Sequence, residues 1–338
     1  MKILIIKLGA LGDVLRTTPL LEVLGKQHPL AEIHWLVEAR HAAVLEGNPR
    51  IKRVHPHSPE ALRLLAAARW DLAVNLDKEP EALEAITRVQ AARKMGFGKG
   101  PGGAPAPIDP LSDYAWRLGI DDELKFRQNK KTYQEISFEQ VGLKFALEEY
   151  QFFLDSDAER FAQGLVRQWG RRPGPLVGLN TGAGTRFAGK VLPEEKTARL
   201  AEWFHERLDA RVLLLGGEEE LARNERIRAL SRVPVIAAGS HPIRRFAGIV
   251  KACDLIVSGD TTAMHIAIAV KTPVVAYFAS TCAAEIELYG RGRKVEAVIP
   301  CAPCYLKDCP IDERCMADLP LEALTSVAKE LLAEVPAR

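Results

Sequence analysis

The chain has 338 residues, 47% hydrophobic and 27% charged, with 46 Lys plus Arg against 44 Asp plus Glu and a net charge of +2. This is the balance of a soluble globular protein, and it offers no basic excess for binding nucleic acid in bulk. The length exceeds what one ordinary core holds, so two domains are expected. No apolar run reaches the ~18 residues of a spanning helix. The opening MKILIIKLGALGD also lacks the length and cleavage site of a secretory signal. A cytoplasmic protein is expected, with its six cysteines mostly reduced.

In chain order, Ile3 to Lys7 predicts a buried strand, followed by helical spacing from Val14 to Leu24. Pro19 either kinks that helix or sits in the first turn of one that begins at Thr18. Ile33 to Val37 and Leu72 to Leu76 predict further strands, with a helix over Glu60 to Arg69 between them. The stretch GKGPGGAPAPIDP, 98–110, predicts a loop. Arg93, Lys94 and Lys99 flank it, as solvated charge or as contacts for acceptor phosphates. Strands are then predicted at Leu176 to Leu179, Val212 to Leu215, Val235 to Ala237, Leu255 to Val257 and Val274 to Tyr277, and a last helix near Pro320 to Glu334. Alternating strands and helices predict parallel sheets. The expected architecture is α/β, two doubly wound Rossmann-like domains in tandem, divided into 1–155 and 156–338. Arg171-Arg172-Pro173-Gly174-Pro175 reads as the linker, and the last helix is expected to pack back toward the N-terminal domain.

Ligands of open α/β sheets bind beyond the carboxyl ends of strands, which singles out four loops. In the first, Gly9 and Gly12 lack the GxGxxG spacing, which disfavours a nicotinamide-binding oxidoreductase. Asp13 reads either as a helix N-cap or as a general base. The second loop, NTGAGTRFAGKVLP at 180–193, offers backbone N–H groups, the Thr185 hydroxyl and the Lys190 ammonium to a diphosphate, but without Walker spacing. A flexible loop with a surface lysine is the alternative. In the third, GGEEE at 216–220, one carboxylate of Glu218, Glu219 and Glu220 can accept both ribose hydroxyls, and Glu219 is the choice. An acidic first helical turn is the alternative. In the fourth, SGDTTAMHIAIAV at 258–270, Thr261 and Thr262 sit at a helix start suited to phosphate oxygens. Asp260 reads as a sugar ligand or an N-cap, and His265 as a packed helical residue.

Cys301, Cys304, Cys309 and Cys315 follow C-x2-C-x4-C-x5-C spacing. They suit either a structural zinc site or four reduced thiols. Cys253 and Cys282 read as isolated thiols.

Together, MKILIIKLGALGDVLRTTPLL, GDTTAMHIAIAVKTPVVAYF and the cysteine tail resemble glycosyltransferase family 9, the ADP-heptose:lipopolysaccharide heptosyltransferases and their relatives. The resemblance runs from Met1 to about Leu319. It implies a GT-B fold, two domains facing across a cleft, with the acceptor on the N-terminal domain and the nucleotide-sugar on the C-terminal one. It implies an inverting transfer from an ADP-sugar, no cofactor and no metal in the reaction. It also implies an anionic glycolipid acceptor at the inner membrane, met by a cytoplasmic or peripheral enzyme. In the family pattern Asp13 matches the catalytic carboxylate, with Gly9 and Gly12 in its acceptor-side loop. Lys190 matches a phosphate-binding lysine, and Asp260 with Thr261 and Thr262 matches the donor loop. This chain has Lys190-Val191-Leu192-Pro193 where relatives carry Lys-Arg-Trp-Pro. It also has Thr262 where they carry glycine, which adds a side chain beside the expected phosphate. A family member with another nucleotide-sugar or acceptor, and a non-catalytic nucleotide-sugar-binding protein, are the competing readings.

Overall fold

The computed structural model describes residues 1–170, 173–184 and 187–334. These form two compact units, Met1–Phe153 with Ala284–Glu287, and Leu154–Ala283 with the chain from Leu288 onward.

In the N-terminal unit, β1 (Lys2–Ile6), β2 (Glu32–Val37), β3 (Ile51–Pro56), β4 (Arg69–Asn75), β5 (Gln90–Lys99) and β6 (Pro105–Pro107) form one sheet in the order β3-β2-β1-β4-β5-β6. Every pairing is parallel except β5 with β6. In the C-terminal unit, β7 (Leu176–Asn180), β8 (Arg211–Leu215), β9 (Val235–Ala237), β10 (Leu255–Gly259), β11 (Val274–Phe278) and β12 (Gly292–Glu296) pair in parallel in the order β12-β11-β10-β7-β8-β9. Counted from its own first strand, each sheet has the doubly wound order 3-2-1-4-5-6. The two halves thus share a topology without repeating a sequence.

The first unit carries α1 (Leu11–Thr17), α2 (Leu20–Gln27), α3 (Pro59–Ala67), α4 (Pro80–Arg88), α5 (Asp113–Arg117) and α6 (Tyr133–Gln140). The second carries α7 (Ser156–Gln168), α8 (Glu194–Leu208), α9 (Leu221–Leu230), α10 (Ile243–Ala252), α11 (Thr262–Ala269), α12 (Arg314–Ala317) and α13 (Leu321–Glu334). The central strands are apolar on both faces because helices cover both; Ile3, Leu4, Ile5 and Ile6 are all buried. Helix starts follow local chemistry. Ser58 caps α3 by accepting from the Ala61 N–H, and Pro59 and Pro80 stand at first helical positions. At α6, Thr132 and Glu135 form a reciprocal capping box, which pins Tyr133 as the first helical residue.

Several expectations change. The 98–110 stretch is not all loop: Gly98 and Lys99 end β5, and Pro105–Pro107 returns beside it as β6. An edge strand tolerates prolines because its outward side needs no N–H donors. Lys99 pairs there with Glu84, and Lys94 donates to the Thr87 carbonyl. The helix expected across Pro19 is two helices, α1 ending at Thr17 and α2 starting at Leu20. The linker reading fails too. Arg171 and Arg172 lie outside the described residues, but α7 precedes them and already packs on α10, where Gly248 leaves room for the Ala158 backbone. The last helix joins the C-terminal core through Leu324, Ala328 and Leu331.

A histidine pair bridges β2 and β3. His34 Nδ1 lies 2.9 Å from His55 Nε2, and the rings stack with centroids 5.2 Å apart. Burial, then the charges of His34 and Arg53, pushes His55 down to about 4; burial likewise lowers His34. A depressed histidine pKa means that the unfolded chain takes up protons first as the pH falls. Stability from this pair is therefore complete above about pH 6.5 and lost as the pH drops toward about 4. Thermal melts from pH 7.5 to 4.5 should show this decline, and His55→Gln should flatten it. An equally steep decline in the variant would assign the acid sensitivity to other groups.

Candidate active site

Both sheets reverse their winding beside their first strand, between β1 and β4 and between β7 and β10. Such a switch point leaves a crevice at the carboxyl ends of the strands.

In the N-terminal unit, the loop after β4 supplies Asp77. Its Oδ1 accepts from Lys7 Nζ at 2.9 Å, and its Oδ2 accepts from the N–H groups of Leu8 at 2.5 Å and Gly9 at 2.7 Å. Asn75 locks this loop in turn, accepting from the Asp77 N–H and donating to the carbonyls of Asp77 and Phe97. Burial opposes the charge of Lys7, but Asp77, aided by Tyr133 and Asp13, outweighs it and holds the ammonium well above the usual lysine range. Lys78 donates to the Ala115 carbonyl at 2.8 Å. Burial, then the neighbouring cations Lys125 and Lys7, pushes its pKa down to about 8.

Asp13 is not the N-cap of α1. That place belongs to Ala10, which has no capping side chain, and Asp13 lies within the first turn. Its Oδ1 accepts from Arg16 Nη2 at 2.6 Å. A Cβ added to Gly9 would stand 3.2 Å from both Asp13 Oδ2 and Asp77 Oδ1, so the missing side chain opens the space between two carboxylates. Gly12, by contrast, is buried inside α1. The Arg16 guanidinium also lies over the Tyr133 ring, 3.8 Å from its centroid, and 3.8 Å from Glu285. The Tyr133 hydroxyl is 3.3 Å from the Thr17 hydroxyl.

In the C-terminal unit, two cavities of about 500 and 330 Å³ share a wall made of Gly182 to Gly184, Glu219 and Glu220. The larger is lined by Glu218, Glu219 and Thr262, by His241, and by the apolar side chains of Ile243 and Phe246. The smaller contains Lys190. Glu220 is committed to the fold, since its carboxylate accepts from the Gly217 N–H at 2.8 Å. Glu219 faces both cavities. Thr261 is the N-cap of α11, and its hydroxyl already meets the Ala263 N–H, Asn180 Nδ2 and the Ser258 hydroxyl. This leaves the exposed Thr262 at the helix start to line the cavity. Asp260 is not the cap: it lies 3.6 Å from Lys190 Nζ and 3.5 Å from Nε2 of the buried His265. The Lys190 backbone approaches because Gly259 has no side chain; a Cβ there would collide with the Lys190 carbonyl. Thr185 and Arg186 lie outside the described residues.

Lys190, Glu219, Thr261 and Thr262 thus border one connected pair of cavities, with Asp260 on Lys190, while Gly9 and Asp13 belong to the other unit. Lys7, Arg16, Asp77, Lys78, Tyr133 and His241 were missed from the sequence. The strand-end rule that found Asp13 also reaches Asp77 and Lys78, which directly follow the predicted strand ending at Leu76. Nothing local marks Tyr133. All six cysteines are free thiols, and among the described residues no group of three or more His, Cys, Asp or Glu is arranged to hold a metal ion. Burial, with the three neighbouring thiols adding, pushes Cys315 up to about 11.

Lipopolysaccharide heptosyltransferase 1 of Campylobacter coli is 22% identical over 83% of this chain and 84% of its own length. That of Pseudomonas aeruginosa is 27% identical over 91% and 87%. A glycosyl transferase family 9 structure from Veillonella parvula covers 99% of this chain and 98% of its own, with a TM-score of 0.79 at 19% identity. The structure of E. coli heptosyltransferase WaaC with ADP-2-deoxy-2-fluoro heptose covers 98% and 99%, with a TM-score of 0.64 at 18% identity. These likenesses carry the two-domain GT-B fold expected from the sequence. The family model of glycosyltransferase family 9 (heptosyltransferase) matches residues 125–314, more than half of the chain. The chain therefore belongs to glycosyltransferase family 9 and is a glycosyl-transferring enzyme.

Proposed function

We propose that the protein transfers heptose from ADP-heptose to a lipopolysaccharide core acceptor, with inversion at the anomeric carbon and Asp13 as general base. The observation that carries this reading is the paired cavity at the β7/β10 switch point. It combines an apolar slot for a base, a carboxylate for a ribose, and a helix start with a lysine for a diphosphate. The names of the curated relatives and the ADP-sugar analogue in the WaaC structure support the same substrates. We propose an anionic glycolipid at the inner membrane as the acceptor; no helix among the described residues is long and apolar enough to cross a membrane.

In this reading His241, Ile243 and Phe246 border the adenine, Glu219 accepts from the ribose hydroxyls, and Lys190 with the start of α11 meets the diphosphate. Asp13 takes the proton of the acceptor hydroxyl as that oxygen bonds to the anomeric carbon. The bond from that carbon to the phosphate oxygen breaks, and ADP leaves with the electron pair. Lys190 and the α11 amides offset the charge that develops on the phosphate. Asp260 lies beside Lys190, where it orients the ammonium or meets sugar hydroxyls.

Asp13→Asn should keep the fold and ADP affinity while turnover falls on the order of 10²-fold or more. Near-normal transfer by a folded variant would remove the base from Asp13. Lys190→Ala should weaken ADP binding roughly 10- to 100-fold, the equivalent of ~1.5–3 kcal/mol for one charge-assisted contact. Calorimetric titration measures this, and unchanged affinity would hand the phosphates to another cation. The two glutamates should separate as well. Glu219→Gln should weaken ADP with little effect on melting, and Glu220→Gln should lower the melting temperature because the Gly217 N–H loses a charged acceptor. The opposite pattern would exchange their roles. In a panel of nucleotides, ADP should raise the melting temperature and NAD should not. Transfer assays with ADP-heptose and ADP-hexoses on core acceptors then test the sugar.

A further inference from the structure

We propose that Arg16, held between Asp13 and Tyr133, is a positioning residue for the transfer: it keeps Asp13 ionised and turns Oδ2 toward the open side of Gly9. This inference rests on Asp13 being the base. Three contacts from three places in the fold converge on it. Arg16 Nη2 takes Asp13 Oδ1 at 2.6 Å, one helical turn away on α1. The planar guanidinium lies over the Tyr133 ring at 3.8 Å, a contact that a flexible ammonium does not reproduce. Glu285 approaches the same guanidinium at 3.8 Å.

Tyr133 is itself fixed. The Thr132–Glu135 capping box sets its place on α6, and its hydroxyl reaches Thr17, whose hydroxyl also donates to the Asp13 carbonyl at 2.7 Å. With Oδ1 engaged by a clamped partner, the carboxylate cannot rotate without breaking that bond. Its Oδ2 stays 3.2 Å from the point where a Gly9 Cβ would have stood.

Other charged groups also stand near Asp13. From the loop after β1, Lys7 is close enough to interact with Asp13, but its ammonium is bonded to Asp77 at 2.9 Å. From the loop after β4, Asp77 adds negative charge beside Gly9, and Lys78 lies near Lys7 and Glu285. From α6, Tyr133 sets its ring against the Arg16 guanidinium and its hydroxyl beside Thr17. Remove the guanidinium, and Asp13 loses the cation bonded to its Oδ1 while Asp77 still adds negative charge beside Gly9. Protonation of Asp13 then becomes easier, and the acidic limb of activity moves up.

The test is the pH profile of transfer by purified full-length variants, with ADP-heptose and a core acceptor. Arg16→Met should lower kcat about tenfold or more, as expected of a misplaced base. It should also raise the acidic limb of kcat/KM by ~1 unit or more, as expected of a carboxylate that loses an adjacent arginine. Arg16→Lys should restore the limb but not the full kcat, because its charge remains and its stacking does not. Tyr133→Leu should lower kcat without moving the KM for ADP-heptose. A folded Arg16→Met variant with wild-type kcat and an unshifted limb would overturn the proposal. Should that variant fail to fold, Arg16→Lys and Tyr133→Leu decide, and wild-type kcat in both would overturn it. Asp13→Asn separates the two levels: if it stays active the base assignment falls, and if it is inactive while the Arg16 variants behave as wild type, only the present inference falls.

Discussion

Connections that lead to opposite sides of a parallel sheet leave a gap at the strands where the winding reverses. This chain builds that gap twice, between β1 and β4 and again between β7 and β10. A loop leaving a strand at such a point has no helix directly over it, so its backbone N–H groups and side chains can face a ligand. The glycines, carboxylates and lysines of both candidate regions are at these places because the strand order puts them there. Glu219, after β8, reaches the same space from the next strand along.

Ligand-facing loops need internal ties, since backbone groups withdrawn from water must find partners. The two units solve this with different chemistry. In the first, a buried ion pair does it: Asp77 accepts from Lys7 and from two backbone N–H groups of the β1 loop. A buried pair is costly to desolvate and more costly to break, so it holds one loop geometry firmly. In the second, neutral groups tie the β7 loop. Asn180 bonds to both the Gly182 carbonyl and the Thr261 hydroxyl, joining the β7 loop to the start of α11. That leaves the local charges, Lys190, Asp260 and Glu219, at the cavity edge, where a charged ligand gains most from them.

Structural likeness at 18–19% identity shows that many side chains can build this fold. Binding and catalysis live in particular side chains placed on it. Thr262 illustrates the point. Its β-carbon adds a side chain at the first turn of α11, while the hydroxyl of Thr261 is spent on the cap. Under the proposed function, phosphate recognition at this helix start falls to backbone amides and to Thr262.

Strands buried on both faces announce themselves as short apolar runs, and β1, β2, β4 and the central strands of the second sheet were legible for that reason. The edge strands β3, β6 and β12 were not, although the apolar edge strand β9 was. Ile51–Pro56 carries charged residues, Pro105–Pro107 is proline-rich, and Gly292–Glu296 is largely polar. Their strand identity comes from a neighbour's backbone, not from their own pattern. The sequence by itself determined the doubly wound class and the strand-end loops, because each follows from local periodicity and spacing, and its motifs carried the resemblance that implies a nucleotide-sugar. Only the tertiary structure decided which carboxylates are committed, giving Glu220 to its own loop, Asp77 to Lys7, and Asp13 to a place inside a helix turn beside Arg16. Lys7 is 70 positions from Asp77, and Arg16 is farther still from Tyr133, and such distances leave no period in a sequence; the short-range choices of Glu220 and Asp13 depend on side-chain orientation, which leaves none either.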